Sequence, residues 1–600
     1  MKIYDAPEKH GDLINEDLLS RVKNMFEEAR QTLDNARRES EIDFDYFHGH
    51  QWTGEELAEL RRRRQPILTF NLIRNKVESL CGVEENTLTS PKAWPRSPAD
   101  ENAAKVATDT LRYVSDINRF DKTRVDVLRD MLIGGSGAAM VEIERKGEDA
   151  RPEIKIRRIN WETFVYDPFS RNTDFSDSRY LGAAQWMDEA DILALYGEKA
   201  SDAVEGALFE AGLGASVAGD GFEDRPNWAW GDAQRRRALV VELYHREGGL
   251  WHHTVFTGSG IIRSGLSVYL DADGIPACPI EAVSAYVNRE NERYGVVRDM
   301  RSPQDEINHR RSKLLHLLNT RQTFRKEGAI ASRDPQTMRR ELNKPDGDVV
   351  IAKNATWGQD VGIIDTDRQS AGQSELLEEA KAFLDRLGPN MSLVGREETA
   401  NQSGRAILAQ QQAGMAELAT LFAAHNDWVL RIFRQIWARA RQFWKAPMFI
   451  RVTDDLQSAQ FIQINEPVFD EFGQPVINPQ TGEPLIRNRL AEMGVDLVVD
   501  RAPFAVNLQI EEFRILADLA AAGVAIPPNV LIMASTLRNK QALLEALNPP
   551  TPPPAPPQPD PITMQLGAAE TARLQAEAAE RMARADKLHA ETQKTLLGFQ

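Results

Sequence analysis

Apolar residues recur three and four positions apart over long stretches of the chain, and shorter alternating runs lie between them. Residues 14–47 show the helical spacing with Glu and Arg on the other positions, which predicts an amphipathic helix. Gly49 predicts the end of this helix. Thr53 followed by Glu56 predicts a capping box at the start of a short second helix over Glu55–Arg64.

Further helices are predicted over Leu72–Val83 and Ala103–Ile133, and Gly134–Gly137 ends the second of them. Residues 201–235 are rich in Gly, Ala and Asp, a composition that predicts a long loop or insertion. Glu247–Gly249 has the composition of a hairpin turn. Strands are predicted at 138–144, 153–159, 164–166, 239–244, 250–256 and 261–262.

The second half of the chain alternates long helices with irregular stretches. Residues 298–326 form one helical pattern that holds eight Lys/Arg and three Asp/Glu. A strand-type excursion over 327–370 follows, and a helical pattern returns at 374–387. The polar loop 388–402 then leads to Ser403, the predicted cap of a helix of about 40 residues, far longer than the average helix.

The C-terminal part changes character twice. Residues 448–510 are predicted as strands and 511–547 as helical, and nine prolines then fall within 549–561, which predicts an extended polyproline spacer. A terminal helix over 562–597 follows. Its apolar positions are sparse, so it needs neighbours to be stable, and an oligomeric tube of helices would supply them. These positions are Leu566, Leu574, Met582, Leu588 and Leu596.

Composition narrows the class of protein. The 600 residues include 73 Lys+Arg and 90 Asp+Glu, a net charge of −17, which argues against a general nucleic-acid coat but not against a protein that handles DNA without holding it. The 42% hydrophobic content is that of a globular protein, and no apolar run approaches the ~20 residues of a membrane span. The N-terminus has no signal-peptide pattern, so we expect a soluble, intracellular-type protein. The two cysteines, Cys81 and Cys278, exclude a disulfide scaffold and predict buried apolar side chains.

Motifs for catalysis or metal binding are missing from the sequence. It contains no GxxxxGK[ST] phosphate loop, no HExxH, no CxxC and no GxSxG elbow. Gly134–Gly137 lacks the phosphate-loop lysine and is interpreted as a helix stop. We interpret His48, His50, His252 and His253 as surface or hairpin residues. The adjacent His252 and His253 face opposite sides of a strand, so they make a poor metal pair. We therefore expect no enzyme activity, metal or cofactor.

Three stretches resemble the portal protein of tailed double-stranded DNA bacteriophages, of the short-tailed podovirus type. Residues 46–52 and 64–71 are similar to that family's opening "FYxGxQW … RGQPxLTFN", with Arg64 where the family often has Gly. Residues 294–299 lead into a long helix as at the entry to the portal stem, and 401–407 resemble the "SG-x-A-[LI]" motif that follows the channel loop. The resemblance covers roughly residues 14–545. Beyond residue 548 the resemblance is only one of general architecture, because some podovirus portals end in a helical barrel.

The resemblance implies an α+β fold, mostly α, assembled as a ring of twelve subunits. The regions it implies, in chain order, are the N-terminal part of the wing 1–297, first stem helix 298–326, clip 327–370, second stem helix 371–387, tunnel loop 388–402, long wing helix 403–447, wing strands 448–510, crown 511–547, Pro-rich linker 548–561 and barrel helix 562–600.

The same resemblance implies a function and partners. The ring would lie at one vertex of the capsid in the virion, after assembly in the host cytoplasm, and form the channel for genome packaging and ejection. Its partners would be further copies of itself, the terminase large subunit, tail adaptor proteins, capsid and scaffolding proteins, and the double-stranded DNA in the channel, with no membrane.

Three groups of candidate residues follow. The channel- or DNA-facing candidates are Arg310, Arg311, Lys313, Asn390, Arg396, Asn401 and Gln402. The motor-docking candidates are Arg333, Arg339, Arg340 and Lys344, because residues 325–344 hold six Lys/Arg against three Asp/Glu in an acidic protein. The barrel-packing candidates are the five apolar positions of the terminal helix.

Each group has a simpler alternative. The stem cations can instead pair with adjacent stem helices, the clip cations can be solvated charges, and the terminal segment can be a disordered tail. For the whole chain, the alternatives are another head–tail joining or adaptor protein of the virion and, less favoured, a terminase-like or nuclease enzyme. The enzyme would require a phosphate loop and an acidic metal cluster.

Overall fold

The structure divides into two units, Met1–Pro503 and Phe504–Gln600. The computed structural model describes residues 12–86, 88–96, 100–145, 151–213, 230–319, 322–331, 335–342, 344, 346–364, 367–387, 418–452, 460–470, 472, 474–477, 484–502, 513, 515–517, 519–524, 526–534 and 561–596.

Helices and strands are both abundant, which confirms the predicted α+β class. The helices are α1 Asp12–Thr32, α2 Asp34–His48, α3 Gly54–Arg62, α4 Leu72–Asn86, α5 Glu101–Asn118, α6 Phe120–Gly134, α7 Glu189–Tyr196, α8 Ser201–Leu213, α9 Val297–Asn319, α10 Pro335–Leu342, α11 Asp367–Leu387, α12 Ala419–Phe443, α13 Pro528–Ala534 and α14 Pro561–Leu596.

Every strand pair in the described residues is antiparallel. The strands are β1 Leu88–Pro95, β2 Ser136–Glu144, β3 Glu153–Ile159, β4 Phe164–Tyr166, β5 Tyr180–Asp188, β6 Gly231–Asp232, β7 Arg237–Glu247, β8 Leu250–Phe256, β9 Ile261–Leu266, β10 Ile280–Ser284, β11 Tyr286–Val287, β12 Arg293–Tyr294, β13 Thr323–Arg325, β14 Val361–Ile363, β15 Met448–Val452, β16 Gln460–Ile464, β17 Glu466–Pro467, β18 Ile486–Arg487 and β19 Val495–Ala502. The largest sheet has the order β4-β5-β7-β8-β9, with β6 added to β7, and a three-stranded sheet has the order β10-β2-β3. The remaining strands form two-stranded pairs: β1-β19, β11-β12, β13-β14, β15-β16 and β17-β18.

The N-terminal helices follow their local signals closely. Gly49 ends α2 with a left-handed φ of 96°, and its N–H donates to the carbonyl of Tyr46. Thr53 and Glu56 form the predicted capping box at the start of α3, with the Glu56 N–H 3.2 Å from Thr53 Oγ1. The predicted helix over 14–47 is in fact two helices, α1 and α2, which meet at Leu33.

Two other predictions about the N-terminal half need correction. The helix predicted over 103–133 is two helices, α5 and α6, because Arg119 between them takes a left-handed φ of 50°. Residues 201–235 are not a loop throughout: α8 and β6 lie within them, and 214–229 are outside the described residues. The apolar residues of α8 at helical spacing, such as Val204 and Ala207, pack against Val240 and Val255 of the largest sheet.

The main core surrounds α12. Its side chains Trp428, Ile432 and Ile436 are fully buried, and they form one hydrophobic cluster with the three-stranded sheet and helices α5 and α6. Arg439 is also buried in this core. Its guanidinium donates to the carbonyl of Leu270 at 2.9 Å, and burial lowers its pKa to about 10. Of the long helix predicted over 403–447, the described part is α12.

The region after residue 297 departs from its predicted boundaries. Helix α9 ends at Asn319, not at 326, because residues 323–325 are a strand that pairs with β14. The excursion predicted as strand-type over 327–370 also contains the helix α10. Its small core of Ala329, Met338 and Val361 holds α10 against the β13–β14 pair. Helix α11 begins at Asp367, before both the helical pattern predicted from 374 and the stem region predicted from 371.

The second unit contains α13 and α14 among its described residues. Helix α14 matches the predicted terminal helix, and residues 515–517 and 519–521 are helical, as expected for part of 511–547. The proline run before residue 561 lies outside the described residues.

His252 and His253 lie in the β7–β8 hairpin, which agrees with their interpretation as surface or hairpin residues. His253 is buried and 3.1 Å from Glu242, whereas the neighbouring His252 is partly exposed. His245 on β7 is buried as well, with Nε2 3.1 Å from Thr254 Oγ1. Burial, helped by the nearby His252, lowers the pKa of His245 to about 4.

We predict that His245 makes the protein less stable in acid. Between about pH 6.5 and 4 the unfolded chain binds a proton at this residue and the folded chain does not, so stability falls as pH drops, by up to ~1.4 kcal/mol per unit. His245→Gln should therefore show a flatter dependence of melting temperature on pH across this window. The exposed His50→Gln is the control and should keep the wild-type slope. Parallel curves for wild type and His245→Gln would contradict the prediction.

Candidate functional site

Helices α9 and α11 form a pair that carries the excursion 320–366 between them. Leu314 of α9 and Leu377, Ala380 and Leu384 of α11 are buried and belong to the main hydrophobic cluster. The Arg310 guanidinium donates to Gln373 Oε1 at 3.3 Å across the pair. The helix–excursion–helix order predicted from the sequence is therefore present, with the corrected bounds given above.

A ladder of polar side chains fixes α9 to the segment 68–72, which is extended as far as Asn71 and begins α4 at Leu72. The side chains come from every fourth residue of α9, and they accept hydrogen bonds from every second backbone N–H of the segment. All three side chains are buried. The bonds run from Phe70 N to Asn308 Oδ1 (2.9 Å), from Leu72 N to Gln304 Oε1 (3.1 Å) and from Leu68 N to Ser312 Oγ (3.3 Å).

The ladder works because two backbone repeats nearly coincide. Four residues of helix advance about 6 Å, and two residues of extended chain advance about 6.6 Å. The small mismatch leaves the shortest bond at the central residue Asn308 and longer bonds at both ends of the ladder. We refer to Gln304, Asn308, Ser312 and their three backbone partners as the polar ladder.

Secondary bonds connect the polar ladder to the first motif region. The Asn308 amide donates to Gln51 Oε1 at 2.7 Å, and the Gln51 amide donates to the carbonyl of Tyr46 at 2.9 Å. The Asn71 amide donates to the carbonyl of Phe47 at 2.8 Å. The two stretches 46–52 and 64–71, quoted above for their resemblance to portal proteins, are thus joined to each other and to α9.

A buried ion cluster fixes the beginning of α9 to α2. Asp43 is fully buried, with the Arg298 guanidinium 2.9 Å and the Arg301 guanidinium 3.2 Å from its carboxylate. Burial raises the pKa of Asp43 to about 6, against the lowering effect of the two arginines. The hydrogen bond and charge of Arg301 hold the pKa of Glu39 below its usual value.

Gly295, in the motif stretch 294–299, has surroundings that only glycine fits. A Cβ at this position would lie 2.1 Å from the carbonyl oxygen of Leu132, which is closer than real Cβ atoms come. The next residue, Val296, donates its N–H to the same carbonyl at 2.9 Å. Glycine at 295 therefore lets the chain pass against the end of α6 just before α9 begins.

The predicted stem cations differ in their surroundings. Arg310 is 2.8 Å from Glu306 one turn earlier, the Arg311 guanidinium lies 5.5 Å from the centre of the Phe70 ring, and Lys313 is exposed. Asn390, Arg396, Asn401 and Gln402 lie outside the described residues.

The clip and terminal-helix candidates lie largely at the surface. Arg339 and Arg340 are exposed on α10, Lys344 is 2.7 Å from Glu341, and Arg333 is outside the described residues. On α14, Leu574, Met582 and Leu588 are exposed by 61%, 74% and 69%. Leu566 and Leu596 lie within α14, but their side chains are outside the description.

Sequence reasoning missed the residues that hold α9 in place. The helical pattern alone did not distinguish Gln304, Asn308 and Ser312 from other helix residues. A polar residue at every fourth position, on a face that also carries apolar residues, nevertheless signals a buried polar stripe. The arginines of the ion cluster give a similar signal, because Arg298 and Arg301 lie about one turn apart at the beginning of α9.

Other chemical features of the described residues are few. They contain no group of three or more His, Cys, Asp and Glu side chains arranged to hold a metal ion. None of their helices combines the length and apolar character that crossing a membrane requires. Cys81 and Cys278 are both buried as predicted, and burial raises the pKa of Cys81 to about 12.

Two comparisons with known proteins indicate the family of the chain. The model of the phage P22-like portal protein family matches residues 23–595. A curated relative, the portal protein of Helicobacter pylori bacteriophage KHP30, is 21% identical over 428 residues, which are 70% of this chain. The chain spans 66% of that relative's length, just under two thirds.

The match over nearly the whole chain defines the class as phage portal protein. More narrowly, the chain belongs to the P22-like portal protein family.

We predict that Asn308→Leu destabilises the protein by about 2–4 kcal/mol, because it leaves the Phe70 N–H and the Gln51 amide without their buried partner. The measurement is the free energy of unfolding in denaturant. Ser302→Leu, at an exposed position on the same helix, is the control and should change stability by less than about 0.5 kcal/mol. Equal stability of the two variants would show that the polar ladder contributes nothing.

Proposed function

We propose that this chain is the subunit of the portal ring at one capsid vertex, and that the ring forms the channel for genome packaging and later ejection. The observation that carries the proposal is the family match over residues 23–595. The pair α9–α11, set on a base that includes α2, α4 and α6, supports it, because a channel wall needs long helices held at one end.

The proposal assigns the parts of the chain to the regions of a portal subunit. Helices α9 and α11 are the stem, and the excursion 320–366 between them is the clip. The wing consists of the residues before α9 together with α12 and the strands up to 502. Residues 388–402 are the tunnel loop, 511–547 the crown and α14 the barrel.

The proposed partners are eleven further copies of the chain, the terminase large subunit, tail adaptor proteins, and the capsid and scaffolding proteins. The clip would dock the terminase during packaging and the tail proteins afterwards. Double-stranded DNA would pass through the ring, and the assembled portal would reside in the virion after assembly in the host cytoplasm.

Electrostatics support a channel that does not grip DNA. Each chain carries a net charge of −17, and a closed ring multiplies that charge by the number of subunits. Of the stem cations, Arg310 already has a carboxylate partner, Glu306, and Arg311 stacks on Phe70. Such side chains can touch phosphates transiently while the acidic remainder keeps the duplex mobile.

We expect the purified full-length chain to form rings with a central hole in negative-stain microscopy, and native mass spectrometry to give a mass of twelve subunits. The structural reason is the wide exposed surface of the long helices α11 and α14, which a single chain does not bury. Stable monomers under all assembly conditions would contradict the proposal. Lone particles with ATPase or nuclease activity that a point mutation abolishes would favour the enzyme alternative.

Reversing Arg339 and Arg340 to Glu should weaken binding of the terminase by about tenfold or more and leave the ring intact. The reason is that these exposed cations on α10 attract acidic partners in an otherwise acidic protein. Binding is measured by titration at low and moderate salt, where the wild-type affinity should fall with salt. Arg289→Glu, an exposed cation outside the clip, is the control. Unchanged affinity of the double variant would show that these residues do not belong to the docking surface.

Truncation after Leu547 should leave ring assembly intact and shorten the ring along its axis by several nanometres. Helix α14 has 36 residues, which corresponds to ~54 Å of helix, and side-by-side packing in a barrel would cover its exposed Leu574, Met582 and Leu588. Its five Lys/Arg and five Asp/Glu after residue 560 leave little net repulsion between copies. Averaged ring images and DNA retention are compared with those of full-length protein. Identical images would show that the terminal segment is not an ordered barrel.

A further inference from the structure

An apolar arm projects from the wing at a rigid root. The arm comprises residues 466–487, of which 471, 473 and 478–483 lie outside the described residues. It is bounded by Asn465 and Asn488, both with left-handed φ, of 52° and 54°. The Asn465 side chain is buried and donates to the carbonyl of Trp444 at 2.8 Å, and the Asn488 side chain donates to the carbonyl of Gln463 at 2.9 Å. The root is thus held by the core at both ends.

The described part of the arm presents large apolar side chains to solvent. Three short segments of it pair with one another, through bridges between Phe469 and Pro475 and between Ile477 and Pro484. Phe472 at the turn is 89% exposed, and Phe469 and Ile477 are 58% and 60% exposed. A firmly rooted element with this exposure is unusual for a surface that faces only water.

A second apolar surface lies on the strand pair directly before the arm. β15 and β16 alternate cleanly: Ile450 and Ile464 are buried beneath the pair, whereas Phe449 and Phe461 on its outer face are 62% and 65% exposed. Arg451, exposed and directly opposite Phe461, lies on the same outer face. We call this surface the receptor face.

The two surfaces differ in charge. The arm carries four carboxylates and one arginine, since its sequence includes Glu466, Asp470, Glu471, Glu483 and Arg487. Strands β15 and β16 carry one arginine, Arg451, and no acidic residue. Two arms would repel each other, whereas Arg451 on the receptor face offers an acidic arm a positive charge.

We propose that the arm of one subunit docks on the receptor face of a second copy of this chain. Because the two surfaces differ, the contact is head-to-tail, and a contact of this type generates a ring when its rotation closes. The apolar side chains of the two surfaces expose roughly 700 Å² together, comparable with the apolar part of a standard interface of about 1,600 Å². This inference rests on the proposed ring and specifies one contact within it.

Cysteine cross-linking in co-assembled subunits tests the contact. Cys81 and Cys278 are buried, so introduced thiols are the reactive ones. One tagged chain carries Phe461→Cys and another carries Phe472→Cys. Oxidation of the mixed assembly should give a disulfide-linked dimer of the two, and each variant assembled alone should give none.

Alanine variants supply an independent measurement. Phe461→Ala and Phe472→Ala should each weaken subunit association, measured by sedimentation, by about tenfold. Phe209→Ala, which removes an equally exposed phenylalanine from α8, is the matched control and should assemble as wild type. All three positions are exposed, so folding of the chain should be unaffected, and its melting temperature checks this.

The outcomes separate this inference from the proposed function. Rings without a cross-link between the two chains would overturn the docking contact and leave the portal function intact. A cross-link within one chain carrying both cysteines, and none between chains, would show that the arm folds onto its own receptor face. Absence of both rings and cross-links would overturn the contact and the proposed function together.

Discussion

The near-coincidence of helical and extended backbone repeats along α9 is the constraint on which the proposed stem depends. Asn308 and the polar residues one turn away on either side accept hydrogen bonds that a neighbouring strand would otherwise accept. Alternate backbone N–H groups of the segment 68–72 therefore have partners, although the segment belongs to no sheet. A helix held this way cannot slide or rotate by one residue without breaking every bond of the polar ladder. The position of α9 is therefore set by hydrogen-bond register, which side-chain packing alone would specify less sharply.

Buried charges extend the same restraint to the rest of the base. Asp43 joins α2 to α9 through two arginines, and the buried Arg124, on α6, contacts Glu84 of α4. The His425 Nε2–H of α12 donates to the Arg124 carbonyl at 3.0 Å. An ion pair in a core adds little net stability, but removing one partner is costly, so these contacts favour one arrangement of the helices over others.

Local signals in the sequence predicted much of this architecture, and tertiary contacts account for most of the differences. Capping at Thr53 and the end of α2 at Gly49 depend on neighbouring residues only, and both predictions were confirmed. The strand at 323–325 depends on its partner β14, and Asn118, just before the break at Arg119, bonds to the distant backbone of Ile154 and Ile156; both the strand and the break were missed. For the proposed stem, the sequence indicated which helices form the pair but not the polar ladder, because a buried glutamine and an exposed one look alike until their partners are known.

The polar ladder recognises backbone N–H groups, and this has an evolutionary consequence. The side chain of Phe70 is partly exposed and takes no part in the bond made by its own N–H, so drift at this position costs the ladder nothing. Proline is the exception, since it has no N–H to donate. The polar ladder therefore bars proline at 68, 70 and 72 but accepts other side chains there, so the motif residues of this segment must be kept by other contacts, such as the bond from the Asn71 amide to the Phe47 carbonyl.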